Sequence, residues 1–276
     1  MSENFKRSAS GQRWEGLRWG NEGDAPTLML HGWLDNAASF SALAPLLSGY
    51  RVAADLPGHG RSFHRPAGTW YHFIDYVFDV VSLIDAFGWK RLTLIGHSMG
   101  GAIATLIAAA YPDRIERLVL IEALGPLSRD SQDLAGDLRK AMDARRMLAG
   151  KRLTVHANID SAVRARIAAG DLGERAARTL VERALKRVPD GYVWRSDPRQ
   201  TLPTPIRATE EQYLQLLGAI RAPTTIVLAD PQTPYLSGPA ADRRIEALRP
   251  QRLVRLPGGH HLHMDDAASV ATAIGL

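Results

Sequence analysis

The sequence predicts an α/β protein: a mostly parallel central sheet with helices on both faces, interrupted by a helical insertion. Three observations carry this. Across residues 1–124, short β-rich runs ending in Gly, Pro or Asp alternate with helical patterns. Several of those runs are almost continuously apolar, as parallel strands covered on both faces must be. After a long helix-rich stretch, strand signals return at 224–228 and 252–256.

The first clear strand is Thr27-Leu28-Met29-Leu30-His31, followed by Tyr50-Arg51-Val52-Ala53-Ala54-Asp55. Over 73–87 the apolar residues Phe73, Ile74, Val77, Val80, Val81, Ile84 and Phe87 recur at three- and four-residue spacing, with Gly88 as C-terminal cap. Leu92-Thr93-Leu94-Ile95-Gly96 is the next strand. A helix over 99–110 is apolar nearly all round and stops before Pro112, so it is expected to be buried against the sheet. Leu118-Val119-Leu120-Ile121-Glu122 closes the first alternating block. From 125 to 219 the chain reads as helices rich in Ala, Arg and Leu, broken at Gly150, Gly170, Gly173 and the Pro-rich 198–205. Strands at Thr224–Leu228 and Arg252–Leu256 follow, with Ile245–Leu248 helical between them. This predicts an insertion between two strands of one sheet, with right-handed crossovers.

The 276 residues are 45% hydrophobic and 23% charged, the composition of a globular chain long enough for a full core. With no cysteine, disulfides, thiolate nucleophiles and zinc–sulfur sites are excluded. The formal charge is +5. Its surplus sits in 125–220, where 17 Lys and Arg face 12 Asp and Glu. Those cations are interleaved with acids and lack stacking aromatics, so nucleic acid is not an expected partner. No apolar run approaches the roughly 20 residues of a membrane helix, and the polar N-terminal segment lacks a signal-peptide core. The expectation is a cytoplasmic protein with no membrane partner.

The chemistry concentrates in Gly96-His97-Ser98-Met99-Gly100-Gly101, between a strand and a buried helix. A serine on a sharp strand-to-helix turn sits in strained backbone, so the residues two positions either side must be nearly side-chain-free, as Gly96 and Gly100 are. Ser98 is the candidate nucleophile, and the Met99 amide at the helix N-terminus a candidate oxyanion donor. After the first clear strand, His31-Gly32-Trp33-Leu34 places the Trp33 amide as the second donor, with His31 bracing the loop. Asp55-Leu56-Pro57-Gly58-His59-Gly60-Arg61-Ser62 forms a rigid turn whose residues are expected to be structural.

In order and at the ends of their strands, these three segments resemble those of the α/β-hydrolase superfamily. His31-Gly32-Trp33-Leu34-Asp35-Asn36-Ala37-Ala38-Ser39-Phe40 is similar to its serine hydrolase-like branch. The resemblance implies the α/β-hydrolase fold: an eight-stranded core sheet, a helical cap after the sixth strand, and a Ser–acid–His triad. It assigns 1–124 and 220–276 to the core and 125–219 to the cap.

The resemblance also places the base in Gly259-His260, which His260 matches. A metal site from His260, His261 and His263 is the alternative. Adjacent histidines on an extended loop point apart, and no His-Glu-x-x-His motif accompanies them. In the family the acid follows the strand at 224–228 in a Gly-x-x-Asp turn. Here the turn reads Ala229-Asp230-Pro231-Gln232-Thr233-Pro234. Gapless alignment puts Gln232 at the acid position, and an amide cannot stabilise an imidazolium as a charge. A turn shortened by two residues makes Asp230 the acid. The other candidate is Glu122, at a strand end where some haloalkane dehalogenases carry theirs. A buried glutamate closing an apolar strand needs a partner. Both remain open, with Glu122 ahead.

A serine nucleophile excludes the aspartate-dependent dehalogenase and epoxide hydrolase reactions. The expected activity is hydrolysis of carboxylic esters of small or medium apolar acids through an acyl-enzyme, the ester being the expected small-molecule partner. Covalent catalysis by side chains implies no cofactor. Trp33, Met142, Trp194 and Tyr235 are candidate substrate-binding residues, and Met147, Leu148 and Tyr192 further wall candidates. The same triad would also serve a cofactor-free perhydrolase of the haloperoxidase type or a C–C bond hydrolase. A catalytically silent binding protein is the remaining alternative.

Overall fold

The computed structural model describes residues 2–129, 132–148, 154–170 and 172–276. The chain opens with β1 (Glu3–Ala9), β2 (Gln12–Trp19), β3 (Pro26–Leu30) and β4 (Tyr50–Ala54), then α1 (Asp75–Ala86), β5 (Leu92–His97), α2 (Met99–Ala110) and β6 (Ile115–Ile121). Next come α3 (Leu134–Leu148), α4 (Ile159–Ala168), α5 (Glu174–Ala184) and the hairpin strands β7 (Leu185–Val188) and β8 (Gly191–Trp194). The chain then forms α6 (Glu210–Gly218), β9 (Thr224–Asp230), α7 (Gly238–Leu248), β10 (Arg252–Pro257), the short α8 (Leu262–Asp265) and α9 (Ala267–Ile274).

Eight strands form one sheet in the order β1-β2-β4-β3-β5-β6-β9-β10. β1 pairs antiparallel with β2 and β2 antiparallel with β4, and the remaining neighbours are parallel. The parallel strands carry the expected double-sided burial. Leu28, Leu30, Leu94, Leu118, Leu120, Ile226 and Leu228 enter the core shared with α1 and α2, whereas Met29, Ile95, Val119, Ile121 and Val227 enter the core shared with Phe40, Leu43 and α9. Each strand alternates between the two cores because successive side chains leave opposite faces. Burying one such leucine or isoleucine is worth about 1.5–3 kcal/mol.

Two features depart from the expectation. The β1–β2 hairpin lies in a segment with no strand pattern of the kind read elsewhere. The inserted stretch contains the β7–β8 hairpin as well as helices, although Leu185-Lys186-Arg187-Val188 is too short and too charged to signal a strand. Gly150 lies outside the described residues. Among the described residues, no helix is long and apolar enough to cross a membrane.

The inserted helices are tied to the sheet by buried polar groups. Arg183 of α5 donates through Nε to both Asp55 oxygens at 3.0 Å and through Nη2 to Oδ2 at 2.7 Å. Asp55 also accepts from the Ala37 amide at 2.8 Å and the Arg61 amide at 2.9 Å, so one carboxylate organises the turn after β4 and the segment after β3. Removing one partner strands the other charge out of water. Arg183→Met is therefore expected to lower the unfolding free energy by about 3–5 kcal/mol, read by guanidinium titration, with Asp55→Asn/Arg183→Met costing less than Arg183→Met alone.

Candidate active site

Trp33, Ser98, Glu122 and His260 each lie just past the end of a parallel strand. Strand order reverses between β3 and β5: the chain runs one way from β3 to β4, and the other way from β5 through β6 and β9 to β10. The loops after β3 and β5 therefore lead away from one another at the carboxyl edge, the usual ligand position in open α/β sheets. The β3 loop carries Trp33, β5 leads into Ser98, β6 into Glu122, and the loop after β10 carries His260.

Ser98 has φ 51° and ψ −117°, a left-handed backbone for a residue with a side chain, held by its amide donating to the Ile121 carbonyl at 3.0 Å. Its glycine neighbours are required by contact. A Cβ on Gly96 would lie 2.4 Å from Gly101, and one on Gly100 2.0 Å from the Leu30 carbonyl oxygen. The turn thus presents the Ser98 hydroxyl at the head of α2.

His260 meets that hydroxyl. Its Nε2 lies 3.0 Å from Ser98 Oγ, and its Nδ1 3.1 Å from Glu122 Oε2. Glu122 is 1% exposed and also has a left-handed backbone, φ 50°, with its amide donating to the Val227 carbonyl at 2.9 Å. Its Oε1 accepts from the Ala229 amide at 2.6 Å, and Oε2 accepts from the Thr233 hydroxyl. Burial pushes this carboxyl up, but the hydrogen bonds from His260, Thr233 and Ala229 outweigh it and hold the group below its ordinary value. An ionised carboxylate only accepts, so Nδ1 carries the hydrogen and Nε2 offers its lone pair to Ser98.

The structure brings Glu122, not Asp230, to His260. Asp230 ends β9 with an exposed side chain, and its carbonyl accepts the Gly258 amide at 3.1 Å. Gln232 is likewise exposed and faces the Arg255 guanidinium. From this turn it is Thr233 that reaches the site, as a donor to Glu122.

Trp33 is 51% exposed, with its indole Nε1 donating to the Gln200 carbonyl at 3.0 Å. Among the described residues neither the Trp33 nor the Met99 amide is used by another group of the fold. His31 is the expected brace: Nε2 accepts from the Leu56 amide at 2.9 Å, so Nδ1 donates to the Gly32 carbonyl at 2.8 Å. His59 is buried beneath it, and desolvation pushes its pKa down to about 3. Tyr235 stands over His260, with its hydroxyl 3.0 Å from each ring nitrogen. Met142 is exposed on α3, and Trp194 packs against the core of α4 and α5 with its ring 5.4 Å from that of His156. The described contacts bring neither to Ser98.

The histidines after β10 face three ways because the chain turns into α8 rather than staying extended. His260 faces Ser98, and His261 Nε2 faces Asp35 Oδ2 at 3.3 Å. His263 is buried against Phe40 and His97, and desolvation pushes it down to about 3. They therefore do not share a ligand set. Around them lies a layer to which the sequence reading gave no role. His97 donates from Nε2 to the His260 carbonyl at 2.8 Å, and Asp35 Oδ1 accepts from Arg166 of α4 at 2.8 Å. The donor atoms of Asp35, His97 and His261 lie within 4.8 Å of one another. Arg166 pairs with the Asp35 carboxylate, so a cation already faces it. Both His97 and Asp35 lie inside the quoted motifs, but the sequence offers no sign that they meet.

Comparison with known proteins agrees with this architecture. The profile of the alpha/beta hydrolase fold family matches residues 26–267. A serine hydrolase-like protein of Danio rerio is 35% identical, covering 98% of this chain and 88% of its own. A probable serine hydrolase of Drosophila melanogaster is 32% identical over 93% of this chain and 81% of its own. Among solved structures, a hypothetical protein of Pseudomonas aeruginosa PAO1 superposes with TM-score 0.92 at 40% identity, covering 98% of this chain and 96% of that one. A thioesterase domain from the curacin biosynthetic pathway superposes with TM-score 0.87 at 26% identity over all of both chains. With most of its length inside the family profile and serine hydrolase-like relatives along nearly the whole chain, this hydrolase belongs to the alpha/beta hydrolase superfamily, in the serine hydrolase-like branch.

Proposed function

We propose that the protein is a serine esterase that hydrolyses carboxylic esters of small or medium apolar acids. The observation that carries this reading is the single imidazole of His260 bridging Ser98 Oγ at 3.0 Å and the buried Glu122 carboxylate at 3.1 Å. His260 takes the Ser98 proton as Oγ attacks the acyl carbon, and Glu122 stabilises the resulting imidazolium. The oxyanion is received by the Trp33 and Met99 amides. His260 returns the proton to the leaving alcohol, and water repeats the sequence on the acyl-enzyme. The segment 125–219 acts as the cap. In support, Arg183, the Gln200 carbonyl and the Leu180 carbonyl, which accepts from Asn36 at 2.9 Å, anchor it to the loops after β3 and β4.

A fluorophosphonate probe tests the reading. Modification confined to Ser98 is expected, followed by turnover across p-nitrophenyl esters from acetate to palmitate. The same panel with acyl thioesters separates oxygen from sulfur leaving groups. Folded protein that resists the probe would support the silent binding alternative, whereas an acyl-enzyme that hydrogen peroxide captures in preference to water would support the perhydrolase.

A further inference from the structure

Tyr235 sits on the short turn Pro234–Leu236 after β9, with its ring centroid 5.7 Å from that of His260 at an interplanar angle of 72°. Its hydroxyl oxygen is 3.0 Å from both Nδ1 and Nε2. A point equidistant from the two nitrogens in the ring plane would collide with the carbon between them, so the oxygen lies over the imidazole face. There it competes neither for the Nε2 lone pair, which Ser98 uses, nor for the Nδ1 hydrogen, which Glu122 uses. The same Nε2 lies 3.0 Å from both the Tyr235 hydroxyl and Ser98 Oγ. A polar group is thus held beside the reacting nitrogen, although the triad geometry does not require it.

We propose that the Tyr235 hydroxyl donates a hydrogen bond to the departing oxygen of the substrate, which suits the site to esters of ordinary, unactivated alkyl alcohols. This rests on the serine esterase reading above. As Ser98 Oγ bonds to the acyl carbon, its proton moves to Nε2. The phenol oxygen then presents its negative end to a newly cationic ring, and its hydrogen points to the oxygen arriving beside Nε2. The ester C–O bond breaks with its electron pair on that oxygen, the Nε2 proton completes the alcohol, and Tyr235 keeps its own proton throughout. Burial pushes the phenol up to about 12, so it stays a donor across the neutral range. The residue as a whole is 53% exposed while its hydroxyl points inward, so the ring can shift as the alcohol leaves.

An alkoxide carries a large negative charge as it leaves, and a hydrogen bond to a charged group is worth enough to matter there. A p-nitrophenolate disperses its charge and needs little help. In Tyr235→Phe, kcat/KM for ethyl acetate is expected to fall about 10–100-fold while that for p-nitrophenyl acetate falls less than about threefold. Both rates are normalised to the fraction of sites labelled by fluorophosphonate, which counts folded, competent protein. Equal losses on the two esters, no loss on either, or a wild-type protein inert to ethyl acetate would overturn the proposal. A protein that keeps its activity as Ser98→Ala would instead overturn the esterase reading, so the two failures are distinguishable.

Discussion

Replacing Ser98 by alanine is expected to lower kcat by about 10⁴ to 10⁶ while leaving the unfolding midpoint within a few degrees of wild type, because triad members act as a unit. Among the described residues, the other hydroxyl beside His260 Nε2 is that of Tyr235. On the serine esterase reading, it would have to leave the ring face to replace Ser98 Oγ. A water attacking in place of Oγ would lose the acyl-enzyme and rely on the oxyanion donors alone. Alanine keeps a Cβ, which the turn already accommodates, and the amide bond to Ile121 is unaffected. Steady-state turnover of p-nitrophenyl butyrate and thermal unfolding check both halves. A loss below tenfold would remove Ser98 from the chemistry.

Replacing Glu122 by glutamine is expected to lower kcat by about 10³ to 10⁴, the scale seen when a triad acid becomes an amide. The cause is a tautomer. If the new amide oxygen keeps the Ala229 amide hydrogen bond, the NH₂ faces His260 Nδ1, which must then accept. The imidazole hydrogen moves to Nε2, and the lone pair that should receive the Ser98 proton is gone. Asp230→Asn, changing an exposed carboxylate, is expected to alter kcat less than about twofold. Reversed magnitudes would move the acid to Asp230. The same pair reports on stability. The folded Glu122 carboxyl lies below its ordinary value, so its contribution is complete above the unfolded value of about 4.3 and is lost as pH falls through the folded one. Unfolding free energies at pH 7 and pH 3.5 should therefore show the gap between wild type and Glu122→Gln narrowing in acid. A gap that widens in acid would contradict the depressed value.

Much of the site was legible from short stretches of chain. The glycine spacing around Ser98 reports a steric demand confined to a few residues, and the structure meets it with contacts under 2.5 Å for any added Cβ. The bracing role of His31 followed from its place directly after a strand. What sequence reading missed were meetings between distant residues. Thr233 reaches Glu122 across 111 positions, Arg166 reaches Asp35 across 131, and Tyr235 was legible only as an aromatic wall. The β7–β8 hairpin was missed for a different reason: four-residue strands of mixed polarity leave no period to detect.

The sequence alone determined the alternation of strands and helices, the strand ends at which chemistry could occur, and the identity of nucleophile and base candidates. Those follow from side-chain periodicity and backbone sterics, forces that act within a turn or two of chain. The tertiary structure decided which carboxylate faces the imidazole. That choice depends on β6 lying between β5 and β9, and on the left-handed backbone at Glu122 turning its side chain toward a histidine 138 residues away. Local propensity carries no information about a separation of that kind, because the energy that selects it arises only when the sheet has assembled and water has left the pair.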